Sequence, residues 1–355
     1  MKKLLLFILV FGCCATANAQ IVKFSTSISL FQNDTNINHI AEVWKTYLTD
    51  ASEQTKARLW MGQDVIEYIS PHNRMYNDGF QFVYNINRIN DNTYEINTIS
   101  YRFMSRDNLF DYVSNIYKVY AHKVNDEWKL QGYFDEHAHK YKRFETDYIT
   151  YYFPSDYVFS RKEAKTTSRF IDDFCHNYQI QPLHKVNYVV SNSIDESSQM
   201  VGLMYTLWRS DSKYAGRTLY PNTILSAREN HFHEIVHALI MPHFPDLHYM
   251  MNEGMATYYG GSSNVGYETL FTYFKDWLKE NECDFTKFED LRSLFIQGTY
   301  PIVNILGARI IEYSLQKYGY DFVKEMLCIS DYMKLFEHLG IAPDGINAFV
   351  YNMLT

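Results

Sequence analysis

The sequence predicts an α+β protein in two parts: an N-terminal small antiparallel-sheet unit led by a helix, then a mixed sheet that gives way to helices. Three observations carry this. Two stretches of period-two alternation in the first half are each broken by a polar turn, Asn90-Asp91-Asn92 and Asn125-Asp126. From about residue 150, strand-like and helix-like segments alternate. Beyond Gly261, apolar residues recur at helical spacing. A chain of 355 residues suits two domains, placed at 20–145 and 150–355.

The elements follow in order. Residues 1–19 carry the parts of a secretory signal peptide: Lys2 and Lys3, an apolar run, and Ala17-x-Ala19 as a cleavage site. The expected location is therefore outside the cytoplasm, periplasmic or extracellular. Val10-Phe-Gly-Cys13 loosely imitates a lipid-attachment box, but Phe11 fits it poorly, and free export is favoured over a lipid anchor at Cys13. No later stretch has 18 consecutive apolar residues, so no transmembrane segment is expected. Residues 20–35 form an extended lead-in, and a helix runs from Asn36 to about Ala51 through Ile40, Val43, Trp44 and Leu48. Phe80–Ile89 and Tyr94–Phe103 make one hairpin, and Ile116–Val124 with Trp128–Phe134 a second. A leading helix over an antiparallel, curved sheet resembles domains of the nuclear transport factor 2-like kind. His122, His137 and His139 are scattered here, and structural roles are expected of them.

The join is expected near 140–152. A strand around Tyr151, a helix from Ser160 to Tyr178, the strand Lys185–Ser191 and one further strand over Gly216–Ser226 begin the second part. Helices are expected at His233–Ile240, at Met250–Tyr259 with Gly260-Gly261 as the stop, at Tyr267–Lys279, and at Tyr300–Tyr318 with Gly319 as the stop.

His233-Glu-Ile-Val-His237, followed by Asn252-Glu253-Gly254, carries the chemistry. Histidines four apart on a helix point the same way, about one turn along the axis, so both can reach one metal ion. A catalytic zinc site takes three protein ligands and keeps one position open. His233 and His237 supply two, Glu253 is placed to supply the third, and Glu234 can act as general base on a bound water. Gly254 and Ala256 are small enough to let two helices approach closely. Adding His231 or His243 as a ligand would close the open position. An oxyanion donor is also needed. Tyr258, Tyr259, His243 and His248 are candidates, and Tyr300, expected where a long helix begins, is the choice.

These two segments resemble the gluzincins, the HExxH…E branch of zinc peptidases, and in particular a peptidase MA-like domain. The resemblance implies His233, His237 and Glu253 as Zn2+ ligands, Glu234 as catalytic base, and a peptide or protein substrate held along the strand before the HExxH helix. It departs from the aminopeptidases of that branch, whose Gly-x-Met-Glu-Asn motif grips a free amino terminus. The nearest match here is Gly202-Leu-Met-Tyr205-Thr206, with Tyr where the Glu should be. An alternative from another class is a zinc-holding binding or scaffold protein of the cell envelope that cleaves nothing. Glu234 argues against it, because holding zinc does not require it.

Without Lys2 and Lys3 the 33 basic residues become 31, against 41 acidic, a formal charge of −10. Phosphate contacts need a basic surface, so no nucleic-acid partner is expected. Beyond Cys13 and Cys14 three cysteines remain, and Cys175 and Cys328 are expected as buried thiols rather than as a disulfide framework. The 31 tyrosines fall mostly at strand or helix spacings, where half-buried packing accounts for them.

Overall fold

The structure is a computed structural model and describes residues 22–25, 34–50, 52–62, 66, 80–103, 111–206, 215–219 and 222–354. The expected signal peptide and Cys13 lie outside the described residues.

Val22–Phe24 (β1) runs parallel to Phe80–Asn90 (β2), so part of the lead-in is a strand. Thr35–Thr49 (α1) starts where the Asp34 carboxylate accepts from the amides of Asn36 and Ile37. It buries Ile40, Trp44, Tyr47 and Leu48. Trp44 donates its indole N–H to the Thr98 hydroxyl at 3.0 Å, which fixes the helix on the sheet. A short helix, Glu53–Leu59 (α2), follows that the sequence reading did not anticipate; Ser52 caps it.

β2, Thr93–Phe103 (β3), Asp111–Val124 (β4) and Glu127–Gly132 (β5) form the expected antiparallel sheet. Asn125 and Asp126 both adopt positive φ, 49° and 65°, the backbone a two-residue hairpin turn demands. The last strand ends earlier than expected. Gly132 leads into Tyr133–His137 (α3), which turns the wholly buried Phe134 back into the core.

The second sheet comprises Lys142–Glu145 (β6), Ile149–Phe153 (β7), Val186–Val190 (β8), Gly216–Leu219 (β10) and Thr223–Ser226 (β11), in the order β10-β11-β8-β7-β6. Arg161–Tyr178 (α4) crosses from β7 to β8. Two expectations are corrected here. The boundary at 145 cuts through the β6–β7 hairpin, since Lys142 pairs with Phe153 and Glu145 with Thr150. The stretch 216–226 holds two antiparallel strands, since Gly216 pairs with Ser226 and Leu219 with Thr223.

The two parts also share strands and core. After Ile194–Met200 (α5), Leu203–Thr206 (β9) joins the first sheet, pairing with residues 115–117 of β4, whereas β5 takes 119–124 of the same edge. The second sheet alternates its faces. Tyr188, Val190 and Ile224 enter the C-terminal core, while Val189, Leu225 and Leu219 enter the N-terminal one.

The rest is mainly helical: Phe232–Ile240 (α6), Tyr249–Gly260 (α7), Tyr267–Leu278 (α8), Phe288–Arg292 (α9), Ile302–Tyr318 (α10), Tyr320–Met326 (α11), Tyr332–His338 (α12) and Ile346–Leu354 (α13). A small ribbon, Phe295–Ile296 (β12) with Tyr300–Pro301 (β13), interrupts them, so Tyr300 precedes the long helix. Gly254 serves a different neighbour from the one expected. Its close partner is α10, where a Cβ would meet the Gly307 carbonyl carbon at 2.5 Å. No helix among the described residues is long and apolar enough to cross a membrane. Cys175, Cys283 and Cys328 are all free thiols; Cys175 and Cys283 are buried and Cys328, against expectation, is exposed. Burial pushes the Cys175 and Cys283 thiols up to about 11, away from reactivity.

Candidate metal centre

Helix α6 follows β11 through a short turn and carries half-buried His233 and buried Glu234 and His237. Helix α7 begins where the His248 ring accepts from the Met250 amide, and it brings in Asn252 and Glu253. The ligand atoms of His233, His237 and Glu253 lie within 4.8 Å of one another. His233 Nε2 is 3.6 Å from Glu253 Oε2, and His237 Nε2 is 3.7 Å from Glu253 Oε1. These gaps are long for hydrogen bonds. A tetrahedral ion with bonds of about 2.0–2.2 Å sets its ligand atoms roughly 3.3–3.6 Å apart, so the spacing suits a shared cation.

Each ligand is oriented from behind. His233 Nδ1 donates to the Gly261 carbonyl at 2.7 Å, and His237 Nδ1 to Asn252 Oδ1 at 2.8 Å. With Nδ1 bonded in this way, Nε2 of each ring is the atom turned toward Glu253, and it offers its lone pair to a metal once the ring is neutral. Asn304 of α10 donates its amide to Glu253 Oε2 at 3.0 Å. Gly260 makes the close approach expected of Gly254 and Ala256: a Cβ there would stand 2.6 Å from the His233 Cα.

Electrostatics follow from three imidazoles and two carboxylates in one buried place. Burial pulls the His233 ring down, but the Glu253 and Glu234 charges outweigh it and push it up to about 9. Burial raises the Glu253 carboxyl, yet His237, His233 and the Asn304 amide hold it below the usual range. Glu234 is likewise raised by burial and held low overall by His233, His231, His237 and the Thr218 hydroxyl. Thr218 of β10 lies 2.9 Å from Glu234 Oε2 and 2.9 Å from the Glu234 carbonyl oxygen. The Glu234 carboxyl is thus held below the usual range and anchored to the strand that ends the sheet order.

The remaining candidates go elsewhere. Tyr300 packs its ring 6.1 Å from Tyr273 and lines neither cavity at the centre. His243 bonds the Gln181 carbonyl at 2.7 Å, Tyr259 the Tyr178 hydroxyl at 3.1 Å, and Tyr258 packs on Tyr267. Gly202–Thr206 is spent on β9, where Thr206 accepts from Arg217 at 3.2 Å. In the N-terminal unit His122 faces Glu136 at 3.1 Å and His137 the Tyr120 hydroxyl at 3.3 Å, both structural pairings. Sequence reasoning passed over Thr218, Asn252 and Asn304 as partners of the centre. Asn252 was legible, lying four residues past His248 and next to Glu253, but nothing local marks Thr218 or Asn304. Compared with models of known families and with curated protein sequences, the chain matches none.

Proposed function

We propose that the chain is an exported zinc-dependent peptidase, with His233, His237 and Glu253 as the ligands of Zn2+ and Glu234 as the base. One observation carries this reading: the buried Glu234 carboxylate, held by the Thr218 hydroxyl at 2.9 Å, stands beside the three-donor cluster without belonging to it. Two neutral imidazoles and one carboxylate suit zinc better than the hard cations, which prefer all-oxygen sites. Zinc so held supplies Lewis acidity toward the scissile carbonyl and lowers the pKa of a bound water. The chain's own residues do the rest. Glu234 takes the proton of the attacking water and passes it to the leaving amine. Thr218 holds that carboxylate by one oxygen. β10 ends its sheet beside α6, so an extended peptide can add along its outer edge, held by backbone hydrogen bonds largely irrespective of sequence.

The test is zinc content together with cleavage of a mixed peptide library, with Glu234→Gln as control. One zinc per chain and cleavage lost in the variant are expected. Zinc bound and equal cleavage by Glu234→Gln would remove the mechanism, and failure to take up zinc would remove the site.

A further inference from the structure

The Glu234 side chain rests on the last strand of a sheet. β10 closes the order β10-β11-β8-β7-β6, so among the described strands it pairs with β11 alone. Gly216 and Thr218 stand two residues apart on it and therefore share a face, the one turned to α6. At Gly216 the stem of Glu234 presses on the strand: a Cβ there would lie 2.7 Å from Glu234 Cγ. At Thr218 the hydroxyl reaches the head, 2.9 Å from Glu234 Oε2. Glu234 thus lies along β10, its stem on one residue and its carboxylate on the next but one. We propose that an extended substrate chain pairing with the outer edge of β10 aligns Glu234 through Thr218, so that substrate residues beyond the cleaved bond raise kcat; the inference rests on the peptidase reading above. Thr218 is in this sense a positioning residue.

Two features suit the strand to this transmission. Thr218 is β-branched and stiff at its first torsion, so its hydroxyl follows the strand backbone. That hydroxyl has a single proton and two acceptors at equal distance, Glu234 Oε2 and the Glu234 carbonyl oxygen, each at 2.9 Å. Only one of them can receive the proton at a time. A small displacement of β10 therefore decides whether the carboxylate keeps its donor or loses it to the helix backbone. The strand is only four residues long, and alternate residues of an edge strand turn their backbone N–H and C=O away from the sheet. A peptide that takes up those groups converts an edge strand into an inner one and restrains it. The space beside β10 matches such a path. One cavity, of about 380 Å³, has Gly216, Arg217 and Thr218 in its wall together with the donor set. A second, of about 330 Å³, continues along Ala215 and Gly216. Both share Gly216, His233 and Glu234, so a chain laid along the strand passes Glu234 with room on either side. Binding energy gathered along β10 then serves orientation at the cleaved bond, which appears in kcat and not in KM alone.

Peptides that share one cut site and grow residue by residue on each side, up to the length of β10, test this with zinc-loaded protein. Two further sets carry N-methyl groups at the odd or the even backbone amides, which blocks pairing along one side of the chain and keeps every side chain. Wild type should gain at least ~10-fold in kcat from the shortest to the longest peptide, and one of the N-methylated sets should lose that gain. Thr218→Val keeps the shape and removes the hydroxyl. It should hold zinc as wild type does and bring the ratio of long- to short-peptide kcat close to one, and Thr218→Ser should restore most of the ratio. A merely structural Thr218 would slow short and long peptides alike and leave the ratio standing. Length acting through KM alone, a gain that survives both N-methylated sets, or an unchanged ratio in Thr218→Val would overturn the proposal. If zinc is bound but no peptide is cleaved, the peptidase reading fails separately. The carbon-13 resonance of the Glu234 carboxylate, assigned through Glu234→Gln, is then followed as the longest peptide is added. A shift in wild type that is lost in Thr218→Val upholds the coupling, and no shift, or equal shifts in both, overturns it.

Discussion

Replacing Gly260 with alanine tests whether the approach of α7 to α6 holds the donor set together. The new Cβ would stand 2.6 Å from the His233 Cα, and nearer still to its amide nitrogen, where ordinary contact begins at 3.4 Å. Both obstructing atoms belong to helix backbone, so no side chain can swing aside. The helices must part locally by about 0.8 Å or more, the kind of overpacking that costs about 1–3 kcal/mol of stability. Metal–ligand distances tolerate only about 0.2 Å, so His233 is carried beyond reach of an ion shared with His237 and Glu253. Disturbing a mere supporting group weakens metal sites about 10–100-fold, so displacing a ligand should weaken zinc at least ~100-fold. Competition against a chromophoric chelator reads the affinity, and thermal unfolding reads the stability. Gly62→Ala is the control, since a Cβ there meets nothing within 4 Å. If Gly260→Ala held zinc within twofold of wild type, the argument from helix approach to ligand geometry would be wrong.

Four other outcomes are expected. Glu253→Ala should lose stoichiometric zinc on dialysis; retention of one zinc per chain would strike Glu253 from the ligand set. Glu234→Gln should keep zinc and lose about 10²–10⁴-fold in kcat, and a smaller loss would mean another base. Asn304→Leu frees Glu253 Oε2 and should weaken zinc about 10–100-fold while circular dichroism stays unchanged; unaltered affinity would make Asn304 a packing residue only. Metal-free protein should lose stability as pH rises. The His233 pKa stands above its unfolded value, so its contribution is complete below about pH 6.5 and vanishes as pH passes about 9. Zinc loading, which requires the neutral ring, should abolish that dependence, and melting curves at pH 6 and 9.5 with and without zinc decide it.

The parts of this molecule written in local pattern were the legible ones. Alternation located β2 to β5, and Asn125-Asp126 announced its own turn. The spacing of His233 and His237 placed two donors on one helix face, and the structure brings Glu253 to them. What was missed depends on pairing at long range. Leu203–Thr206 is too short to declare its partner, and β4 lies some 85 residues upstream, so its transfer to the first sheet could not be read. Gly254 was assigned the wrong neighbour because its helix face is shared: Gly307 fills one side, and Gly260 meets α6. Tyr300 was chosen for its place before a long helix, yet a two-residue ribbon turns it onto Tyr273. Thr218 and Asn304 support carboxylates from separate elements, and only the assembled fold brings them there.

The shared edge of β4 has a consequence for how the chain must be made. A ribosome delivers Asp111–Val124 long before Leu203–Thr206, so the growing first sheet stays open along residues 115–117 until β9 emerges. Val189, Leu203, Leu219 and Leu225 complete the N-terminal core just as late. Neither half can therefore finish alone, and contacts of such sequence separation fold slowly and expose strand edges meanwhile. An interruption of synthesis anywhere between residues 124 and 203 would release a sheet with an unsatisfied border, the kind of surface that recruits chaperones or other strands.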